Sequence, residues 1–333
     1  MKKISGFNFL LVIIAMTLPL VTDTAGLAAK SAEERELYEI RIPDTYDPTG
    51  VYTPYLADEL GYFKEAGIKP IFTGVIPPGQ HVAAVTAGTN DVGGMHINRT
   101  IVGIAGGAKI KCVVAQSETT ADFPHMEFIV LEKSGIKEPQ DLFGKKVGVT
   151  SVGGCHEFTP YEWLRKYTGV NDPRGKFEFV LVPTGNEETA LRTGEVDVVG
   201  FHGHPIDIFE RGGVRVLFDD YVVWGSVGGA TPFFCREDFI KRNPEAVRRF
   251  VAAMTKTGNW LNNHQEEAKL VYAKRMGLNP NQITLMYEAP DGIIEPESVQ
   301  MWMDLTLKYG EIKKAIPLDQ VYTNEFNEYA KGN

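Results

Sequence analysis

Cysteine is scarce. Three residues in 333 allow at most one internal bridge and leave one thiol over, so the fold cannot depend on a disulfide framework. No Gly-x-Ser-x-Gly elbow, phosphate-binding loop or His-x-x-x-His pair occurs, which removes the short signatures of serine hydrolases, nucleotide enzymes and helical metal centres. Positive charge is in deficit, with 34 Lys and Arg against 43 Asp and Glu and a formal net charge of −9. Such a chain has little affinity for phosphate backbones or anionic lipid, so nucleic acid is not an expected partner. Nothing in the composition is low-complexity, and Gly and Pro are frequent enough for many short turns. Cys112 and Cys235 sit in apolar, strand-like runs and read as small buried thiols.

One long apolar run is present at the amino end. Lys2 and Lys3 precede Phe7 to Val21, and small residues follow around Ala25, Ala28 and Ala29. This pattern predicts a secretory signal peptide over residues 1–29 and a periplasmic address for the mature chain. No cysteine follows the run, so lipid attachment there is chemically unavailable. The run is short and poorly flanked for a membrane span.

The most informative feature is internal. Ile76-Pro77-Pro78-Gly79 through Gly94-Met95-His96 lies over Val182-Pro183-Thr184-Gly185 through Gly200-Phe201-His202, 106 residues later. Each copy has a helical run, a glycine (Gly88, Gly194), an aspartate (Asp91, Asp197), a short apolar strand and Gly-x-His. Length suggests about two domains, and the repeat predicts two like-built lobes. Ligands of open α/β sheets sit beyond the carboxyl ends of strands, so His96 and His202 should point into one cleft if the lobes face each other.

Elsewhere, strand patterns alternate with helical ones: Tyr38 to Ile42, then Leu56, Leu60 and Phe63 on a helix closed by Gly67, then Lys69 to Phe72. Arg99 to Gly106 follows as a helix and Lys109 to Gln116 as a strand. Glu127 to Glu132, Val147 to Val149 and Val214 to Phe218 continue as strands, with a helix through Tyr161, Leu164 and Tyr167. This density predicts an α/β fold with mainly parallel sheets covered by helices on both faces. From Arg236 the chain turns helical, and this tail is expected to pack on an existing lobe.

In order, Pro54-Tyr55-Leu56-Ala57-Asp58-Glu59-Leu60-Gly61-Tyr62-Phe63, Ala87-Gly88-Thr89-Asn90-Asp91-Val92, Asp141-Leu142-Phe143-Gly144-Lys145-Lys146-Val147-Gly148-Val149 and Leu191-Arg192-Thr193-Gly194-Glu195-Val196-Asp197-Val198-Val199 lead to Arg236-Glu237-Asp238-Phe239-Ile240 and Asn243-Pro244-Glu245-Ala246-Val247. This succession resembles the periplasmic solute-binding proteins of ATP-binding cassette importers of the nitrate, sulfonate, taurine and bicarbonate type. The resemblance covers about residues 38–260. It implies a two-lobed periplasmic-binding-protein fold of type II with two hinge strands, at Glu127 to Leu131 and Thr231 to Cys235. Lobe one would be 36–128 plus 232–333, and lobe two 129–231. It further implies a small-molecule ligand, a membrane permease as partner, a monomer, and no cofactor or catalytic residue. The chain also resembles relatives that synthesise the thiamine pyrimidine, but lacks their cysteine-rich iron-associated motif.

The candidate walls of the cleft are loops that follow strands. Tyr46, Thr49 and Tyr52 lie on the first, His96 and Arg99 on the second, Ser117 on the third. Thr150, Ser151, Gly153, Gly154 and His156 form a hydroxyl- and glycine-rich turn before a helix, whose free N–H groups and dipole favour an anion unless Ser151 caps them. Arg99 offers a planar fork to a carboxylate or sulfonate. Phe201, His202, His204 and Trp224 complete the set, the aromatic residues favouring an organic ligand. An alternative reading uses His96, Cys155, His156, His202 and His204 as ligands of a transition metal or metal chelate. A second alternative is a pyrimidine-synthase-like enzyme; as a general enzyme reading, Cys155 beside His156 suggests a thiolate nucleophile for which His96 or His202 would have to be the base, and a third class is a sensor using the same cleft without transport.

Overall fold

The computed structural model describes residues 37–45 and 50–332. The expected signal peptide and the loop residues Tyr46 and Thr49 lie outside them. β1 (Tyr38–Asp44) turns Ile40 and Ile42 inward, both fully buried, as its alternation demands. The helix predicted next is two: α1 (Thr53–Glu59) and α2 (Tyr62–Glu65). Gly61 between them has φ 75°, a left-handed conformation that ends the first helix. β2 (Ile68–Val75), α3 (His81–Ala87), β3 (Val92–Gly94), α4 (Ile97–Ala105) and β4 (Ile110–Val114) follow.

After the short β5 (Ser117–Glu118), β6 (Met126–Leu131) carries the chain into the second lobe. There β7 (Lys146–Val149), α5 (Cys155–Thr168), β8 (Glu178–Leu181), α6 (Glu187–Thr193), β9 (Val198–His202), α7 (Ile206–Glu210), β10 (Val214–Asp219) and α8 (Asp220–Trp224) rebuild the first pattern. β11 (Phe233–Arg236) then returns to lobe one.

The second sheet runs β10-β6-β9-β7-β8. In lobe one, β2 pairs β1, and β11 lies between β3 and β4. Asp91 joins these two pieces: its N–H donates to Arg41 O at 3.0 Å, and its carboxylate accepts from Arg41 N at 2.9 Å. Asp197 repeats this on Lys146 at 2.9 Å in both directions. The two lobes thus share one strand order, with β2-β1-β3-β11-β4 matching β8-β7-β9-β6-β10. Both are mixed: in lobe two β10, β9, β7 and β8 run one way, as a mainly parallel sheet should, and β6 runs against them. The crossing strands cause this: β6 and β11 enter from the opposite lobe and run antiparallel to every neighbour they have.

The helical tail does more than pack on one lobe. α9 (Glu237–Arg242) and α10 (Pro244–Asn263) cover lobe one, burying Phe250 and Val251 against Phe63 and Phe233. α11 (Gln265–Met276) closes a smaller core around Tyr272 and Leu56, and β12 (Tyr287–Glu288) pairs with β5. α12 (Pro296–Lys308), however, bridges: Trp302 packs in one core with Ile97 and Ile101 of lobe one and with Phe158 of lobe two. Lys308 and the Tyr309 hydroxyl bond Glu162 on α5. The small α13 (Leu318–Val321) ends the fold beside β4. The tail bridges because α12 presents an apolar face to each lobe, a placement no local pattern specifies.

Candidate functional site between the lobes

Both copies of the repeat deliver their histidine to one cavity of about 400 Å³. Its walls are the segments after β1, β3 and β4 on one side and after β7, β8 and β9 on the other. This is the carboxyl-end placement expected of α/β sheets. The repeat explains the equivalence. α3 and α6 end on Gly88 and Gly194, each with φ 78°, and the following aspartate fixes the next strand against the first.

His96 is 9% exposed, and its surroundings hold it fast. Nε2 lies 3.2 Å from Gly228 O, Nδ1 lies 3.1 Å from Asn98 Oδ1, and the ring meets Trp302 edge-on at 4.2 Å between centroids. Burial lowers its pKa to about 4. His202 is less enclosed and has different company. Its Nε2 is 3.7 Å from Cys155 Sγ, and its ring lies 4.5 Å from that of His156 and 5.1 Å from that of His125.

His125 and His81 also line the cavity, and neither was among the candidates read from the sequence. A signal for His125 existed. It immediately precedes β6, and Met126 pairs with His202 across the antiparallel ladder, so the residue before it must reach the cleft. His125 and His156 are 4% and 2% exposed, and burial, with the neighbouring histidines, lowers both pKa values well below the usual range. Burial also pushes the Cys155 thiol up to about 12, so it is neutral.

Tyr52, Arg99, Ser117, Thr150, Ser151, Gly153 and Gly154 line the cavity. Some do so for reasons the sequence did not suggest. Arg99 donates to the carbonyls of Val152 and Gly153, clasping lobe two from α4 of lobe one. A Cβ on Gly153 would come within 3.0 Å of the Arg99 guanidinium, and one on Gly154 within 2.8 Å of Asn98 Oδ1. These glycines therefore permit close approach of the lobes. Ser151 does not cap α5: Gly154 is its N-cap, with no side-chain bond, and Gly153 N donates to Glu157 at 2.8 Å.

Phe201, His204 and Trp224 are not among the lining residues. Phe201 packs beside the lobe-two core of Ile129, Val199 and Ile208. Trp224 stands edge-on to Trp302 at 4.7 Å. His204 pairs with Glu127 at 2.9 Å and stacks on Phe209, and its hydrogen bond to the Glu127 carboxylate raises its pKa. In a strand successive side chains point to opposite faces, and His202 takes the cleft side.

The sequence pattern of the NMT1/THI5-like family matches residues 49–268, about two thirds of the chain. The chain belongs to the NMT1/THI5-like family. Among curated members, it is 25% identical over 228 residues to the 4-amino-5-hydroxymethyl-2-methylpyrimidine phosphate synthase THI12 of Saccharomyces cerevisiae, and spans about 65% of each chain. Its fold is that of the periplasmic binding proteins. The alkanesulfonate-binding protein SsuA of Xanthomonas axonopodis pv. citri, bound to MOPS, superposes with TM-score 0.68 at 17% identity, over 87% of this chain and all of that one. The nitrate-binding protein NrtA of Synechocystis PCC 6803 superposes with TM-score 0.65 at 14% identity, over 89% and 88%. This NMT1/THI5-like chain thus pairs a binding-protein fold with a histidine-walled cavity.

Proposed function

We propose that this protein is the exported solute-binding component of an ATP-binding cassette importer, and that it captures a small polar organic solute of sulfonate, carboxylate or pyrimidine type without transforming it. The observation that carries this reading is the cavity itself, walled by matched strand ends of two like-built lobes. Its volume of about 400 Å³ lies in the range of small-molecule sites, roughly 300–1,000 Å³. An inorganic oxyanion, little larger than a water of about 30 Å³, would leave most of it empty.

The lobes, divided at 128/129 and 231/232, close on the solute by bending at β6 and β11. Solute that touches both walls favours the closed form through its differential affinity, and Arg99 on the Val152–Gly153 carbonyls latches it. Water leaves the cavity on closure, which strengthens the polar contacts made there. The closed monomer then presents both lobes to a membrane permease in the periplasm. A neutral, buried Cys155 is a poor nucleophile, which supports binding over turnover.

A thermal-shift screen of sulfonates, carboxylates, pyrimidines, nitrate and bicarbonate tests the reading. A true solute at 100 times its dissociation constant adds about 2.7 kcal/mol. If none of the organic classes stabilises the protein, or if one is chemically converted during incubation, the reading is wrong.

A further inference from the structure

Four imidazoles and a thiol crowd the inner wall of the cavity, and their hydrogen bonding is incomplete. Neither nitrogen of His125 has a partner among the described residues, nor does Nδ1 of His156, although both side chains are at least nineteen-twentieths buried. Buried polar groups are ordinarily satisfied, because an unpaired one forfeits its bond to water without return. A third party between these rings would remove the deficit.

We infer that Cys155, His156 and His202, with His125 as fourth ligand, form a binding site for a divalent transition-metal ion of the zinc, nickel or cobalt class. The ligand atoms of Cys155, His156 and His202 all lie within 4.8 Å of one another, and Cys155 is equally close to that of His125. Bond lengths of about 2.0–2.1 Å to nitrogen and 2.3 Å to sulfur give a tetrahedron with edges of roughly 3.5 Å. The Cys155–His202 pair, at 3.7 Å, already has that edge. Within the Cys155–His156–His202 group, separations of up to 4.8 Å shorten to that edge by small side-chain rotations.

The donor set selects the ion. On metal binding Cys155 gives up its proton to solvent and becomes a thiolate; thiolate and imidazole suit borderline-soft metals, whereas calcium and magnesium need several oxygens. The neighbouring carboxylates are committed elsewhere: Asp220 accepts from Thr119 and from Met126 N, and Asp44 accepts from Tyr55. His96 lies within 4.8 Å of the same Cys155 and His125 atoms, but it is left out of the ligand set because its two ring nitrogens face Gly228 O and Asn98 Oδ1.

This assignment rests on the capture reading, since it makes the ion part of the cargo, and the outer cavity then holds the metal's organic ligand. The test titrates the mature, chelator-stripped protein with cobalt(II), zinc(II) or nickel(II), with magnesium as control. Cobalt should bind one per chain with a thiolate-to-metal charge-transfer band and the visible spectrum of a tetrahedral site. Cys155→Ser should abolish that band. His202→Ala, His156→Ala and His125→Ala should each weaken binding at least tenfold, with unchanged circular dichroism showing that the variants fold. His204→Ala should match wild type. Absence of stoichiometric binding, or a band that survives Cys155→Ser, overturns the site. If organic solutes nevertheless stabilise the chelated protein, capture stands and the ion falls. If the metal pattern appears but loss of the cognate permease leaves metal and solute uptake unchanged, the site stands and the transport reading falls.

Discussion

His96 and His202 close equivalent segments of the two lobes, yet they have become different residues. The segments that deliver them share the left-handed glycine, the strand-linking aspartate and the Gly-x-His ending. What differs is what the rest of the chain brings to each ring. On lobe one the tail helix α12 sets Trp302 against His96, and the loop before β11 sets Gly228 O against its Nε2. On lobe two the start of α5 brings Cys155 and His156 to His202, and the crossing strand brings His125. A duplicated backbone can therefore set one copy of a residue against a tryptophan and the other beside a cysteine and two histidines.

The sharpest break of this comparison is thermodynamic. His96→Ala should cost about 3 kcal/mol in denaturant unfolding, since it empties a buried site and removes the partner of Gly228 O and Asn98 Oδ1. His202→Ala should stay within about 1 kcal/mol while weakening capture at least tenfold. Equal stability losses would mean that the two rings are interchangeable after all.

The matched aspartates come next. Asp91 is buried and accepts from Arg41 N, Nε and Nη2, whereas Asp197 is exposed and accepts from Lys146 N. Asp91→Ala should destabilise by about 2 kcal/mol and Asp197→Ala by about 1 kcal/mol or less. Chemical denaturation of the pair measures the asymmetry, and a reversed order would show that lobe two depends more on its link.

The glycines sharpen it further. Both Gly88→Ala and Gly194→Ala force a Cβ into the left-handed region, at about 1 kcal/mol each. The methyl group added at Gly88 would also run into Arg236 Nη1, while nothing lies within 4 Å of one added at Gly194. Melting temperatures should therefore fall more for the first variant than for the second.

Smallest is Arg99→Ala, which removes the latch between lobes without opening either core. Solute release in stopped flow should quicken about threefold to tenfold with little change in stability. Release at the wild-type rate would show that the clasp on Val152 and Gly153 does not limit opening.

Much of the fold was legible because it is written in local patterns. β1, β6, β7 and β10 start and end within a residue or two of where periodicity put them, whereas β8 had no counterpart in the sequence reading. The cleft placement of His96 and His202 followed from the repeat. His125 escaped because a histidine after Phe123-Pro124 has no local signature, and its position depends on which way β6 crosses. His204 misled because Gly203 permits either neighbour to turn to the cleft, and Glu127 across the sheet claims it. The glycines before α5 read equally well as an anion cradle or as a close approach, and only Arg99 and Asn98 from the other lobe decide between them.

The sequence by itself determined two like lobes, the order of their strands and helices, and the pair of histidines at matched rims. These depend on period, capping and duplication, all properties of neighbouring residues. Tertiary structure alone decided which histidines share a cavity, which are held by packing, and that α12 would bridge both lobes. Those outcomes depend on contacts between segments a hundred or more residues apart, whose meeting is set by how whole lobes pack.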